Sequence, residues 1–248
     1  SRSQVWIPTF SEYADACRLH AHRVEGISSV EALTEEEGIC WLCNPNNPTG
    51  QTWEADTLRR LITQYPRTLF VIDQSYALFT EKKVLSVVET VVRPNVLLLH
   101  SMTKCFAVPG LRLGAVTGNE ALLQWIRACR MPWSVNALAV EAGQYLLRHL
   151  DEYRMEVPAL LAERKRVAEA LEATGGVEVL PSDTHYFLAR LRRGSASDLK
   201  AYLAERHGLL IRDASNFEGL DTRYFRIAIQ TEEENNLLIE GIREWIRG

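Results

Sequence analysis

The chain has 248 residues, 46% of them hydrophobic and 24% charged, the make-up of a globular protein with a substantial core and room for two domains. That composition excludes a disordered chain, a collagen-like repeat and a disulfide-stapled miniprotein, and the formal charge of −4 supplies no global basic field for nucleic acid. No apolar run is long enough to span a bilayer, the start Ser1-Arg2-Ser3-Gln4-Val5 has no signal-peptide pattern, and five cysteines at irregular spacing suit a reducing compartment, so a cytoplasmic protein with no membrane partner is expected.

In chain order, His20 and His22 read as part of a helix, on which residues two apart diverge, making a zinc pair a poor expectation. Glu35-Glu36-Glu37 reads as a solvated turn. Ile39-Cys40-Trp41-Leu42, Thr68-Leu69-Phe70-Val71-Ile72, Val96-Leu97-Leu98-Leu99-His100 and Leu113-Gly114-Ala115-Val116-Thr117 read as buried strands, with helical segments over 54–64 and 85–92 between them. Cys40 and Cys43 are three apart on the first of these strands and point to opposite faces, which argues against a shared metal or disulfide. Buried strands joined by helices predict an α/β layer around a largely parallel sheet, in which ligands bind at the carboxyl ends of the strands.

A long helical region is expected over 136–150, continuing over 151–173 to Gly175-Gly176, so that the domain boundary is a helix rather than a tether. The second half predicts a smaller α+β domain. Strands are expected at Val177-Glu178-Val179-Leu180, Tyr186-Phe187-Leu188-Ala189, Leu209-Leu210-Ile211 and 224–229. Helices are expected over 196–206 and from Thr231 to Arg247. The expected domains are residues 1–152 and 153–248.

Four polar features stand at the predicted strand ends: Asn44-Pro45-Asn46-Asn47-Pro48-Thr49-Gly50, Asp73-Gln74-Ser75-Tyr76, Ser101-Met102-Thr103-Lys104, and Leu111-Arg112-Leu113-Gly114. Each alone reads as a turn, a cap or a solvated charge. Together they bring an acid, a phenol, an amine, two hydroxyls and a guanidinium to one sheet edge. Pyridoxal phosphate chemistry uses such a set. An amine forms a Schiff base with the aldehyde, and a carboxylate keeps the ring nitrogen protonated. Amide and phenol donors meet the phenolic oxygen, and hydroxyls with an arginine hold the phosphate.

On these motifs the chain resembles the class I/II aminotransferase family of fold-type I pyridoxal phosphate enzymes, with the aspartate-aminotransferase-like α/β fold. Within the family it is similar to the threonine-phosphate decarboxylases of cobalamin synthesis and to the histidinol-phosphate aminotransferases. The resemblance implies Lys104 as the Schiff-base lysine, Asp73 as the partner of the ring nitrogen, Asn47 and Tyr76 as donors to the phenolic oxygen, and Ser101, Thr103 and Arg112 as phosphate ligands. Arg112 lies eight residues after Lys104, as in the family. Phe10, in Pro8-Thr9-Phe10-Ser11-Glu12-Tyr13, matches either the aromatic stacked on the cofactor ring or an ordinary core residue.

On the substrate side the resemblance implies that Arg226, an arginine within the apolar Tyr224-Phe225-Arg226-Ile227-Ala228, grips a carboxylate, since burying it unpaired is costly. Arg212 matches a second anion-binding arginine, with a pair to Asp213 as the alternative. His185, where many relatives carry Asn, either meets the substrate phosphate or caps its strand. The stretch Met131-Pro132-Trp133-Ser134-Val135-Asn136-Ala137-Leu138-Ala139 and the motifs around Phe10 and Arg212 resemble the decarboxylase group. They imply L-threonine O-3-phosphate as substrate, 1-amino-2-propanol O-2-phosphate as product, and a homodimer. Transamination of histidinol phosphate is the alternative, and a non-catalytic effector domain on the same fold is a third. The match begins late, so an N-terminal segment that contributes to the phosphate site in the family is expected to be missing.

Overall fold

The computed structural model describes residues 1–34 and 37–248, so the Glu35-Glu36 part of the acidic turn lies outside the described residues. The chain forms two compact units. The first comprises Ser1–Trp6, Glu12–Pro45 and Thr52–Met155, and the second Ile7–Ser11, Asn46–Gln51 and Glu156–Gly248.

The first unit is built on a sheet of six strands, β1 (Arg2–Trp6), β2 (Arg23–Ile27), β3 (Gly38–Cys43), β4 (Thr68–Asp73), β5 (Val96–Ser101) and β6 (Gly114–Gly118), in the order β2-β1-β3-β4-β5-β6. All neighbours are parallel except β5 and β6, which pair antiparallel with Ser101 opposite Gly114. Its helices are α1 (Glu12–Leu19), α2 (Ala55–Gln64), α3 (Val87–Val91), α4 (Met102–Cys105), α5 (Glu120–Cys129) and α6 (Ala137–Arg148). The apolar spacing of α2 puts Leu58, Leu61 and Ile62 on one face, where they are buried against Phe70 and Ile72 of β4 and Val96 and Leu98 of β5. The run of apolar residues along β4 reflects burial of a central parallel strand on both faces.

Two expectations here are corrected. His20 and His22 lie beyond the end of α1, and His22 Nδ1 is 2.8 Å from Ser3 Oγ. The helix expected to continue over 151–173 is interrupted. A short 3-10 turn over Leu150–Tyr153 ends in extended backbone at Arg154, and the next helix starts only at Val157. Pro158, in the first helical turn, disfavours helical backbone before it and cannot sit in a helix interior.

The second unit contains α7 (Val157–Glu172), β7 (Val177–Val179), β8 (Tyr186–Leu191), α8 (Ala196–His207), β9 (Arg212–Asp213), β10 (Tyr224–Ala228) and α9 (Glu232–Arg247). Its antiparallel sheet runs β7-β8-β10-β9. Val167 and Leu171 of α7, Leu199 and Leu203 of α8, and Leu238, Ile239 and Ile242 of α9 bury Phe187, Phe225 and Ile227 of the sheet. Thr231 and Glu234 close a capping box at the start of α9. The strand expected over 209–211 is absent. Gly208 ends α8 in the left-handed conformation (φ 67°), the Leu209 N–H still donates to the Leu203 carbonyl, and the ladder holds only Arg212 and Asp213.

Candidate active site

The carboxyl ends of β4 and β5 open onto one edge of the first unit's sheet, and β6, being antiparallel, starts there. Asp73 is the last residue of β4. Its Oδ1 accepts from the Ser75 N–H at 2.8 Å and the Ser75 hydroxyl at 2.6 Å, and its Oδ2 accepts from the Tyr13 hydroxyl at 2.6 Å. A carboxylate offers about four acceptor positions, so three are filled and one remains on Oδ2. Tyr13 is buried on α1, its ring stacked on Trp41 with centroids 5.5 Å apart. Burial first, and then the neighbouring Cys43 and Asp73, push the Tyr13 phenol well above its ordinary pKa, so it stays a donor.

Tyr76, buried, follows three residues after Asp73, its ring 6.2 Å from Phe79. Ser101 ends β5 and caps the short α4, its hydroxyl accepting from the Thr103 N–H at 3.2 Å. Lys104 sits on α4, exposed, and its side chain makes no hydrogen bond or ion pair among the described residues. Arg112, in left-handed backbone just before β6, donates from Nη1 to the Pro109 carbonyl at 2.9 Å. On β5, His100 lies 3.0 Å from the Thr117 hydroxyl. Burial lowers its pKa, and the Asp73 charge opposes that shift. Asp73, Tyr76, Ser101, Thr103, Lys104 and Arg112 therefore share one sheet edge. Cys105, beside Lys104, is half-buried, and burial raises its thiol pKa. Trp133 is 96% exposed, and Asn136 caps α6, its Oδ1 accepting from the Ala139 N–H at 2.8 Å.

The second unit holds the other group. Arg226 of β10 and Arg212 of β9 are direct cross-strand partners, which places two guanidinium groups on the same face of the sheet. Like charges so placed repel, and a shared anion relieves the repulsion. Arg226 is half-buried. Its Nη1 donates to Asn47 Oδ1, its guanidinium lies 5.2 Å from the centroid of the Tyr186 ring, and its Nε has no partner among the described residues. Arg212 donates to Asn216 Oδ1 at 2.8 Å and to the Asp213 carbonyl, and it lies over Phe217. Its partner at residue 213 is thus the backbone oxygen rather than the carboxylate.

Because Asn47 Oδ1 takes the Arg226 donor, the Asn47 amide NH2 is left as a donor, the role expected of it toward a phenolic oxygen. The buried Tyr186 donates its hydroxyl to the Asn46 carbonyl at 2.9 Å and so pins the loop that carries Asn47. Gly50 closes that loop at φ 73°, where a Cβ would lie 2.0 Å from Ser182 Oγ and 2.8 Å from the Tyr186 carbonyl, so only glycine fits. His185 packs edge-on against Tyr186 and accepts the Ile229 N–H through its carbonyl. Phe10 is 42% exposed. Tyr13, Ser75, Tyr186 and Asn216 escape a reading of the sequence. Tyr13 stands in the same motif as Phe10, but nothing in the sequence shows that its hydroxyl reaches a residue sixty positions on.

A largely parallel sheet carrying an acid, an amine, hydroxyls and an arginine at its carboxyl edge fits the fold-type I pyridoxal phosphate enzymes. The model of the family "Aminotransferase class I and II" matches residues 3–242, and the chain belongs to that family. It is 30% identical to the threonine-phosphate decarboxylase of Salmonella typhimurium across 100% of this chain and 71% of that protein. It is 32% identical to a histidinol-phosphate aminotransferase of Roseiflexus castenholzii across 96% of this chain and 66% of that protein. The crystal structure of L-threonine-O-3-phosphate decarboxylase from Porphyromonas gingivalis superposes with a TM-score of 0.97 at 38% identity, covering 100% of this chain and 78% of that one. Pyridoxal phosphate is the cofactor of this family. The donor set fits it: Asp73 keeps one acceptor position for a ring N–H, and the Lys104 side chain is unengaged.

Proposed function

We propose that the protein is a pyridoxal-phosphate-dependent decarboxylase acting on L-threonine O-3-phosphate. The observation that carries the reading is the cross-strand pair Arg226 and Arg212, a site for an anionic amino-acid substrate in a chain with 38% identity to a structure of that decarboxylase. When bound, the cofactor supplies an electron sink for the pair left when a bond to the substrate α-carbon breaks. The protein's residues do the rest. Lys104 provides the amine that anchors the cofactor and later moves protons. Asp73 holds the ring-nitrogen proton. Tyr76 and Asn47 donate to the phenolic oxygen, and Ser101, Thr103 and Arg112 hold the phosphate. Phe10 gives the ring an aromatic face. Arg226 grips the substrate carboxylate in a bidentate pair, with Arg212 and His185 toward the substrate phosphate. The orientation these residues impose on the substrate would then decide which bond to its α-carbon breaks.

The homodimer is implied by the family resemblance, and Trp125, Met131, Trp133 and Leu138 of the first unit are exposed. Among the described residues no helix is long and apolar enough to cross a membrane. A cytoplasmic enzyme of cobalamin synthesis is what the resemblance to the threonine-phosphate decarboxylases implies. The alternative, transamination of histidinol phosphate, is supported by the 32% identity to the Roseiflexus enzyme.

Mass-spectrometric product analysis of the cofactor-loaded protein tests the reading. With L-threonine O-3-phosphate the expected products are 1-amino-2-propanol O-2-phosphate and carbon dioxide. Turnover of histidinol phosphate with 2-oxoglutarate, and none of threonine phosphate, would replace this reading with the aminotransferase.

A further inference from the structure

We propose that Tyr13 is a positioning residue for the cofactor: by donating its hydroxyl to Asp73 Oδ2, it fixes the carboxylate and keeps the shared proton on the ring nitrogen. The inference rests on Asp73 being the ring-nitrogen partner. Ser75 fills Oδ1 twice, at 2.8 Å and 2.6 Å, so the acceptor position left for the ring N–H is on Oδ2, the oxygen that Tyr13 already holds at 2.6 Å. A hydrogen bond to an ionised carboxylate is charge-assisted and stabilises the ionised form. Stabilising Asp73 as carboxylate disfavours transfer of the ring proton back to it. The proton's position is thus set by the donor on Oδ2.

The surroundings suit the role. Tyr13 is 7% exposed and its ring is stacked nearly parallel to Trp41, at 14°, so the hydroxyl cannot swing away. The same hydroxyl also has the Cys43 thiol within hydrogen-bonding reach, and that thiol donates to the Pro45 carbonyl at 3.2 Å. His100, another titratable group that feels Asp73, is 3.0 Å from Thr117. Tyr13 is therefore the hydroxyl donor to Oδ2 among the described residues.

The test loads the protein with pyridoxal phosphate carrying 15N in the ring and reads the ring-nitrogen resonance, which separates protonated from unprotonated pyridine. Tyr13→Phe keeps the stacked ring and removes only the donor. Its resonance is expected to move toward the unprotonated value, and Asp73→Asn is expected to move it further. Replacing Tyr13 with 3-fluorotyrosine, a stronger donor, is expected to move it the opposite way, a response that a purely structural role would not give. A resonance shifted in Asp73→Asn but unchanged in Tyr13→Phe and with fluorotyrosine would overturn the role of Tyr13. A resonance unchanged in Asp73→Asn would overturn the assignment of Asp73 itself, and this proposal with it.

Discussion

Arg226 shows how much of this protein's chemistry is set by single side chains. It stands in an apolar strand, half-buried, and is held by Asn47 and by the face of Tyr186 rather than by a carboxylate, which leaves its charge for a ligand. An ammonium cannot reproduce a two-pronged guanidinium contact. Arg226→Lys is therefore expected to raise KM for the amino-acid substrate by roughly ten-fold or more, the size of a lost charge-assisted hydrogen bond. Steady-state kinetics check this, and an unchanged KM would remove Arg226 from the substrate site. At this scale the sequence was legible where a residue type violates its surroundings, as an arginine in an apolar strand does. It was illegible where the informative contact spans the fold: the bonds from Tyr13 to Asp73 and from Tyr186 to Asn46 join positions 60 and 140 residues apart.

Among the elements, α3 carries a pH-sensitive start. Glu89 closes a capping box with Ser86 and pairs with Arg59 of α2, and the Arg59 hydrogen bond, followed by those from Ser86, pulls its pKa down to about 2. A carboxyl whose folded pKa is depressed contributes stability above its ordinary pKa, and that contribution is lost as pH falls toward about 2. The pair is partly exposed and so is screened by water. Glu89→Gln is expected to lower the melting temperature at pH 7 and to leave it close to the parent's near pH 2. Calorimetry across that range checks this, and an equal loss at both pH values would contradict the linkage.

Periodicity and turn chemistry make β3, β4 and β5 readable, because central parallel strands are apolar along their length. They do not make β1 or β2 readable. Arg2-Ser3-Gln4-Val5-Trp6 buries Ser3 and Gln4, whose side chains are satisfied by His22 and by the Ala32 carbonyl, and the edge strand β2 is mostly exposed. Strands with so few apolar residues give no alternating signal. The lost strand at 209–211 has the opposite cause, since its apolar residues belong to a helix C-cap.

For the molecule as a whole, the two units are not consecutive stretches of chain. Segments 7–11 and 46–51 leave the first half to join the second unit: Thr9 donates to Asn46 Oδ1 at 2.8 Å and ties the two segments together, and the Asp183 N–H donates to the Gly50 carbonyl at 2.9 Å. Composition alone cannot reveal such an exchange, because it depends on which loop meets which strand. Lys104, at the carboxyl edge of the first unit's sheet, is the residue proposed to carry the cofactor. Borohydride reduction of the pyridoxal-phosphate-loaded protein, followed by digestion and peptide mass spectrometry, tests it most directly. A phosphopyridoxyl mass is expected on the peptide containing Lys104 and none in Lys104→Ala. The same mass on a different lysine, or its persistence in Lys104→Ala, would contradict it.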